Sequence, residues 1–134
     1  MAYLLDNNAL KRVLRQDPVF TAKFEEIPGD IWVSIIAVKE SIDGHLLKIK
    51  EHEEAHSVKL FSGFDFLLKF IEEMQFYPIF PYDENSEKLF QSWGNWTKAI
   101  GKYDCRIAAC GITNDLTVVT ADKDNCTDDA CFAG

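Results

Sequence analysis

Apolar residues recur along this chain in two rhythms. Short runs bounded by polar or turn residues read as strands: Tyr3-Leu4-Leu5, Ile31-Trp32-Val33, Gln75 to Phe80 and Leu116 to Thr120. Between them the spacing turns helical. Leu10, Val13 and Leu14 predict a helix that ends near Arg15, capped by Asn7 or Asn8. Asp17-Pro18 opens a second short helix, with Pro in its first turn. Ser34 is placed to cap a long helix from about Ile36 to Glu54, with Ile42, Leu46 and Ile49 on one face. Another runs from about Val58 to Met74, where Phe61, Phe64, Phe66 and Phe70 are expected in the core. Asp83 caps a helix from Glu84 to about Ala99, and Asp104 opens one from Cys105 to about Ile112. Pro78 suggests a sheet edge for the third strand.

Strands alternating with helices imply an α/β fold, a parallel sheet covered by helices on both faces. With 134 residues and neither repeat nor linker, the expectation is a single domain over residues 1–134, with an atypical tail from Asn125 to Gly134 that is short, acidic and not strand-like. Its absence from the sheet would leave the fourth strand as an edge.

Composition narrows the candidate chemistry. A net charge of −8 argues against nonspecific coating of nucleic acid, which needs clustered Lys and Arg. It leaves open a nuclease whose acids are neutralised by a metal. No apolar stretch approaches the roughly 20 residues needed to span a bilayer. The N-terminus has no basic stretch followed by an apolar one, so a cytoplasmic location without a secretory signal is expected. Cys105, Cys110, Cys126 and Cys131 form two C-x4-C pairs. Five residues apart on a helix, two sulfurs point about 140° apart, so reduced thiols are expected rather than zinc ligands or disulfides.

Candidate chemistry lies in the acids next to the strands. Asp6 follows strand one, Glu40 lies in the first turns after strand two, Asp104 starts the helix before strand four, and Asp122 follows that strand. Ligands of open parallel sheets bind beyond the carboxyl ends of the strands, where these positions can converge. Two carboxylates about 4 Å apart repel by roughly 4 kcal/mol at an effective dielectric of 20. Such a group either raises its pKa values or binds a hard cation, and oxygen-only donors favour Mg2+ or Mn2+. Each acid also has a plainer reading as a cap, a turn residue or solvated surface charge.

Other signals are weaker. His52-Glu53-Glu54-Ala55-His56 matches the H-E-x-x-H pattern of zinc proteases, but it sits in a heavily charged stretch where surface histidines are expected. An aspartyl-phosphate phosphatase using Asp6 would usually need an acid two residues on, where Asn8 stands. Trp93 and Trp96 are three apart on a predicted helix, one expected in the core and one at an interface.

Taken together, these segments resemble a PIN domain, most of all the VapC-type toxin ribonucleases of type II toxin–antitoxin modules. The resemblance is carried by four patterns in register from Ala2 to Asp124. They are Tyr3-Leu4-Leu5-Asp6-Asn7-Asn8; Ser34, Glu40 and Gly44; Gly101, Asp104, Ile107, Ala108 and Ala109; and Leu116, Val119, Thr120 and Asp122. It implies a three-layer α/β/α PIN-like fold with a central parallel sheet of four or five strands. It further implies a Mg2+- or Mn2+-dependent endoribonuclease in which Asp6, Glu40, Asp104 and Asp122 hold one or two ions. Asn8, Ser34, Thr120 and Asp124 would support them, and Asp122 and Asp124 are rivals for the fourth ligand, with Asp122 favoured. The implied partners are an RNA substrate, a cognate antitoxin and a second copy in a homodimer. Departures from the pattern are Asn7 in place of the usual Thr, Asn125-Cys126 after Asp124, and the tail. These keep alive the alternative of a non-catalytic PIN-like binding module with an incomplete metal site.

Overall fold

The computed structural model describes residues 1–26, 28–120 and 132–133. Strands β1 (Ala2–Leu5), β2 (Asp30–Ser34), β3 (Ile79–Phe80), β4 (Thr117–Val119) and β5 (Phe132–Ala133) form one sheet in the order β3-β2-β1-β4-β5. The first four are parallel, with β1 pairing β2 from Ala2↔Asp30 to Leu5↔Val33 and β4 from Tyr3↔Thr117 to Leu5↔Val119. Helices α1 (Asn7–Leu14), α2 (Pro18–Glu25), α3 (Ile35–Glu54) and α4 (Leu60–Met74) precede β3. Between β3 and β4 come α5 (Glu84–Ser92), a 3-10 turn at Gly94–Trp96, α6 (Thr97–Ile100) and α7 (Lys102–Thr113).

The period of two along each strand divides the core between the two faces of the sheet. Tyr3, Leu5, Val33 and Val119 join Ala9, Leu10, Phe20, Ala37, Val38, Phe70 and Met74 in one cluster. Leu4 and the partly buried Trp32 and Val118 face the other way, onto Ile107 and Cys110 of α7. The result is the three-layer α/β/α, PIN-like architecture expected from the sequence. Leu4, Leu5, Leu10, Ile107, Val33 and Val119 are fully buried, as a sheet covered on both faces requires.

Several expectations are corrected. The cap of α1 is Asp6, not Asn7 or Asn8: its carboxylate accepts the amide N–H of Ala9 at 2.8 Å. The third strand is confined to Ile79–Phe80, because residues 75–77 prolong the end of α4 through bonds such as Phe76 N to Glu73 O, 3.1 Å. Pro78 then lends only its carbonyl, to Val33 N, and β3 is the sheet edge. The helix foreseen to Ala99 breaks after Ser92, where Gly94 takes φ +77°. The tail also departs from expectation: Phe132–Ala133 pairs antiparallel with β4, so β4 is not an edge. The two apolar residues Phe132 and Ala133 supply the ladder partners of Val119 and Val118.

Side-chain placement on α3 and α4 differs as well. Of the four phenylalanines expected in the core only Phe70 is buried, whereas Phe61, Phe64 and Phe66 are exposed. The helix packs through Gly63, Phe70 and Met74, and Phe61, Phe64, Leu68 and Ile71 lie at helical spacing on the adjacent flank. Leu46 is likewise exposed while Ile49 is buried. His56 has φ +49° and stands beyond the end of α3, so the two imidazoles of H-E-x-x-H do not share a helix face. Cys105 and Cys110 are buried free thiols, as expected; Cys126 and Cys131 lie outside the described residues.

Candidate metal centre at the switch point of the sheet

The chain leaves β1 to one side to build β2 and β3, then returns to the other side as β4. The crevice where the order reverses lies at the carboxyl ends of β1 and β4, the usual binding place in open α/β sheets. Asp6 sits there. Its amide N–H donates to Val119 O at 3.1 Å and its carbonyl accepts from Leu10 N at 2.9 Å. With its carboxylate also capping α1, the residue is held at both ends and is 7% exposed. A charge this buried is costly unless it is matched, and the α1 N-terminus supplies part of the match.

Glu40 comes to the same place on α3. Ser34 ends β2 and caps that helix, its Oγ accepting Ile36 N–H at 3.1 Å, which fixes where α3 starts. Asn7, in place of the hydroxyl residue of the family pattern, has its side-chain oxygen accept the Ser41 hydroxyl at 2.8 Å. An amide thus ties α1 to α3 beside Glu40. Glu40 Oε1 is buried and has no hydrogen-bond partner. Burial pushes the Glu40 carboxyl above its ordinary range, and the nearby negative charges of Asp104 and Asp6 push it further; Lys11 and Lys39 oppose the shift.

Asp104 lies in the first turn of α7 and is exposed. The expectation that it caps the helix is corrected: the cap position is Gly101, with φ +115° and no side chain to offer. A Cβ at Gly101 would meet Asp104 Oδ2 at an ordinary van der Waals distance of 3.6 Å, so it is the positive φ, not crowding, that calls for glycine there. Thr120 is half-buried just beyond β4, and Asn8 is exposed on α1. Asp122 and Asp124 lie outside the described residues.

Asp6 and Asp104 both lie near enough to Glu40 for their charges to disfavour its ionised form. Among the described residues no group of three or more His, Cys, Asp or Glu side chains is placed to hold a metal ion by itself. In donor chemistry alone, carboxylate oxygens suit a hard divalent cation. They repel one another, and the buried Glu40 Oε1 lacks a partner, as one aimed at a cation would. Sequence reasoning missed the Asn7–Ser41 link. Its only signal was the i+1 spacing of Ser41 from Glu40.

No protein-family profile matches the chain, and neither does any curated protein. Solved structures do. VapBC2 from Rickettsia felis, bound to a DNA fragment from their promoter, is 18% identical, with 91% of this chain and 88% of that one covered and a TM-score of 0.63. VapBC-1 from nontypeable Haemophilus influenzae is 16% identical, with 91% and 87% covered and a TM-score of 0.63. FitAcB from Neisseria gonorrhoeae is 24% identical, with 91% and 88% covered and a TM-score of 0.56. The chain has the fold of these proteins, in agreement with the resemblance of its sequence to VapC-type PIN domains.

Proposed function

We propose that the chain is a Mg2+- or Mn2+-dependent endoribonuclease and the toxin of a toxin–antitoxin pair. The observation that carries the reading is the buried, unpartnered Glu40 Oε1, set among the charges of Asp6 and Asp104 at the switch point of the sheet. Asp6, Glu40 and Asp104 would hold the cation, with Asp122 favoured over Asp124 as a fourth oxygen donor. A bound hard cation offsets the charge that builds on a phosphodiester and makes water a stronger nucleophile near neutral pH. The chain's own residues position and tune. The Ala9 amide and the β4 carbonyl fix Asp6. Ser34 and the Asn7–Ser41 bond fix α3 and with it Glu40. Burial and the charges of Asp104 and Asp6 disfavour ionised Glu40, a cost that a bound cation would offset.

The VapBC and FitAcB likenesses support an antitoxin as partner. The flank of α4 that exposes Phe61, Phe64, Leu68 and Ile71 is apolar surface of the kind that marks an interface, for such a partner or for a second copy in a homodimer. No helix among the described residues is long and apolar enough to cross a membrane, and we place the protein in the cytoplasm.

The test is cleavage of a labelled single-stranded RNA with Mn2+, with EDTA, and by Asp104→Asn. Cleavage that EDTA stops and the substitution lowers by at least about a hundredfold, with the fold intact, is the expected result. Wild-type rates in the variant would sink the assignment. A folded wild-type protein that cleaves no RNA under any metal, yet captures its partner, would point to a binding module instead.

A further inference from the structure

A phosphodiester must approach three carboxylates on a chain of net charge −8, and some local set of cations has to oppose that repulsion. One pocket is suited to it. Lys98, Lys102 and Arg106 line a cavity of about 340 Å3 together with Phe90, Asn95 and Thr97, and no carboxylate lines it. The break in the α5 helix builds it. Gly94 turns the chain at φ +77°, Thr97 Oγ1 donates to Gly94 O at 3.0 Å, and Gly101 N–H donates to Thr97 O at 3.0 Å.

The three cations are not equivalent. Arg106 is already engaged, its Nε 2.9 Å from Glu87 Oε1 and its second nitrogen 3.3 Å from Oε2, with its guanidinium 4.3 Å over the Phe90 ring. It is a fixed wall with its charge largely matched. Lys98 and Lys102 are exposed and form no ion pair among the described residues. Lys102 opens α7, two residues before Asp104, and that helix starts without a side-chain cap, so its positive end adds to theirs. A polyanion lying over the first turn of α7 meets Asp104 on one side and the lysines on the other, since two residues are about 200° apart around a helix.

We propose that Lys98 and Lys102 form a phosphate-binding subsite that grips the RNA strand beside the phosphodiester presented to Asp6, Glu40 and Asp104. This rests on the ribonuclease reading and gives it the means to hold an anion. The lysines act as point charges on the backbone, so the subsite is indifferent to base sequence.

The test is the affinity of a labelled, mixed-sequence single-stranded RNA 12-mer in EDTA, measured across a salt series. Lys98→Ala with Lys102→Ala is expected to weaken binding about tenfold or more at low salt. It should also flatten the log–log salt dependence by about 1.4, near 0.7 for each lost contact on a single strand. Lys98→Arg with Lys102→Arg should restore both. Hydrolysis of bis(p-nitrophenyl) phosphate with Mn2+, a diester too short to span both places, should be unchanged in the alanine variant. If neither protein hydrolyses that diester while the RNA difference stands, the metal reading fails and the subsite survives. Unchanged affinity and slope overturn the subsite and leave the pocket to an acidic segment of a partner protein. Weaker binding with an unchanged slope also overturns it, because the loss then has another origin than phosphate contacts.

Discussion

Replacing Glu40 with Gln should make the metal-free protein more stable, the reverse of what removing a buried ionic group usually does. Glu40 Oε1 is buried without a partner, and burial and then the charges of Asp104 and Asp6 all disfavour its ionised form. A carboxyl whose pKa is raised by folding holds more protons folded than unfolded between its two values, so stability falls as pH rises through that window. Above that window the wild type carries this cost and the amide does not. The amide keeps a polar atom at the same place, so the gain is only the extra penalty on the charge, part of the about 1–3 kcal/mol that a buried unsatisfied group costs. Glu40 is only half-buried, so water screens it and the low end applies: about 1 kcal/mol, or about 4 °C in Tm for a chain of this size. Thermal melts in EDTA at pH 7 should show that gain, and it should shrink at pH 4, where the wild-type carboxyl takes its proton. Adding Mn2+ should reverse the ranking. Saturation at a hundredfold over Kd would stabilise the wild type by about 2.7 kcal/mol and the variant far less. A lower Tm for Glu40→Gln in EDTA, or an equal gain from Mn2+ in both proteins, would refute the reasoning.

Two further outcomes follow from the surroundings of the site. Gly44 belongs to the sequence pattern that carries the family resemblance, yet a Cβ there would meet nothing within 4 Å in the middle of α3. Gly44→Ala should therefore raise stability by about 0.5–1 kcal/mol in a urea titration, and a loss would show that the position serves a contact made only with a partner. The Arg106 guanidinium, aided by Tyr82 O–H and the Gln91 amide, holds the Glu87 carboxyl down to about 2. A depressed pKa contributes stability that is present above the unfolded value and lost as pH falls toward about 2. Glu87→Gln should thus cost about 1 kcal/mol at pH 7, given the partial exposure of the pair, and almost nothing at pH 2, read from urea midpoints at both values.

Much of the fold was legible because period-two runs and helical spacing reported burial directly. Tyr3-Leu4-Leu5 divides between the two clusters as a strand covered on both faces must. Legibility failed where the deciding contact was distant or where the backbone outweighed the pattern. Phe61, Phe64 and Phe66 share the hydrophobicity of Phe70, but the α3–α4 packing uses only part of the apolar arc of α4. Gly94 ended a helix whose apolar spacing ran on. The two residues of β5 carried no strand signal, because pairing with β4 decides them. At the site, the positions of Asp6, Glu40 and Asp104 followed from strand ends and helix starts, while the role of Asp6 as cap did not. Asp and Asn cap equally well, and only the structure distinguishes position 6 from 7 and 8.

A metal centre requires that these acids share a cation. A calorimetric titration of Mn2+ into wild-type protein and into Asp104→Asn decides it. Saturable binding to the wild type that the substitution abolishes or weakens at least about tenfold is the predicted result. No binding to the wild type, or the same binding to both, would contradict the claim that Asp6, Glu40 and Asp104 form a metal centre.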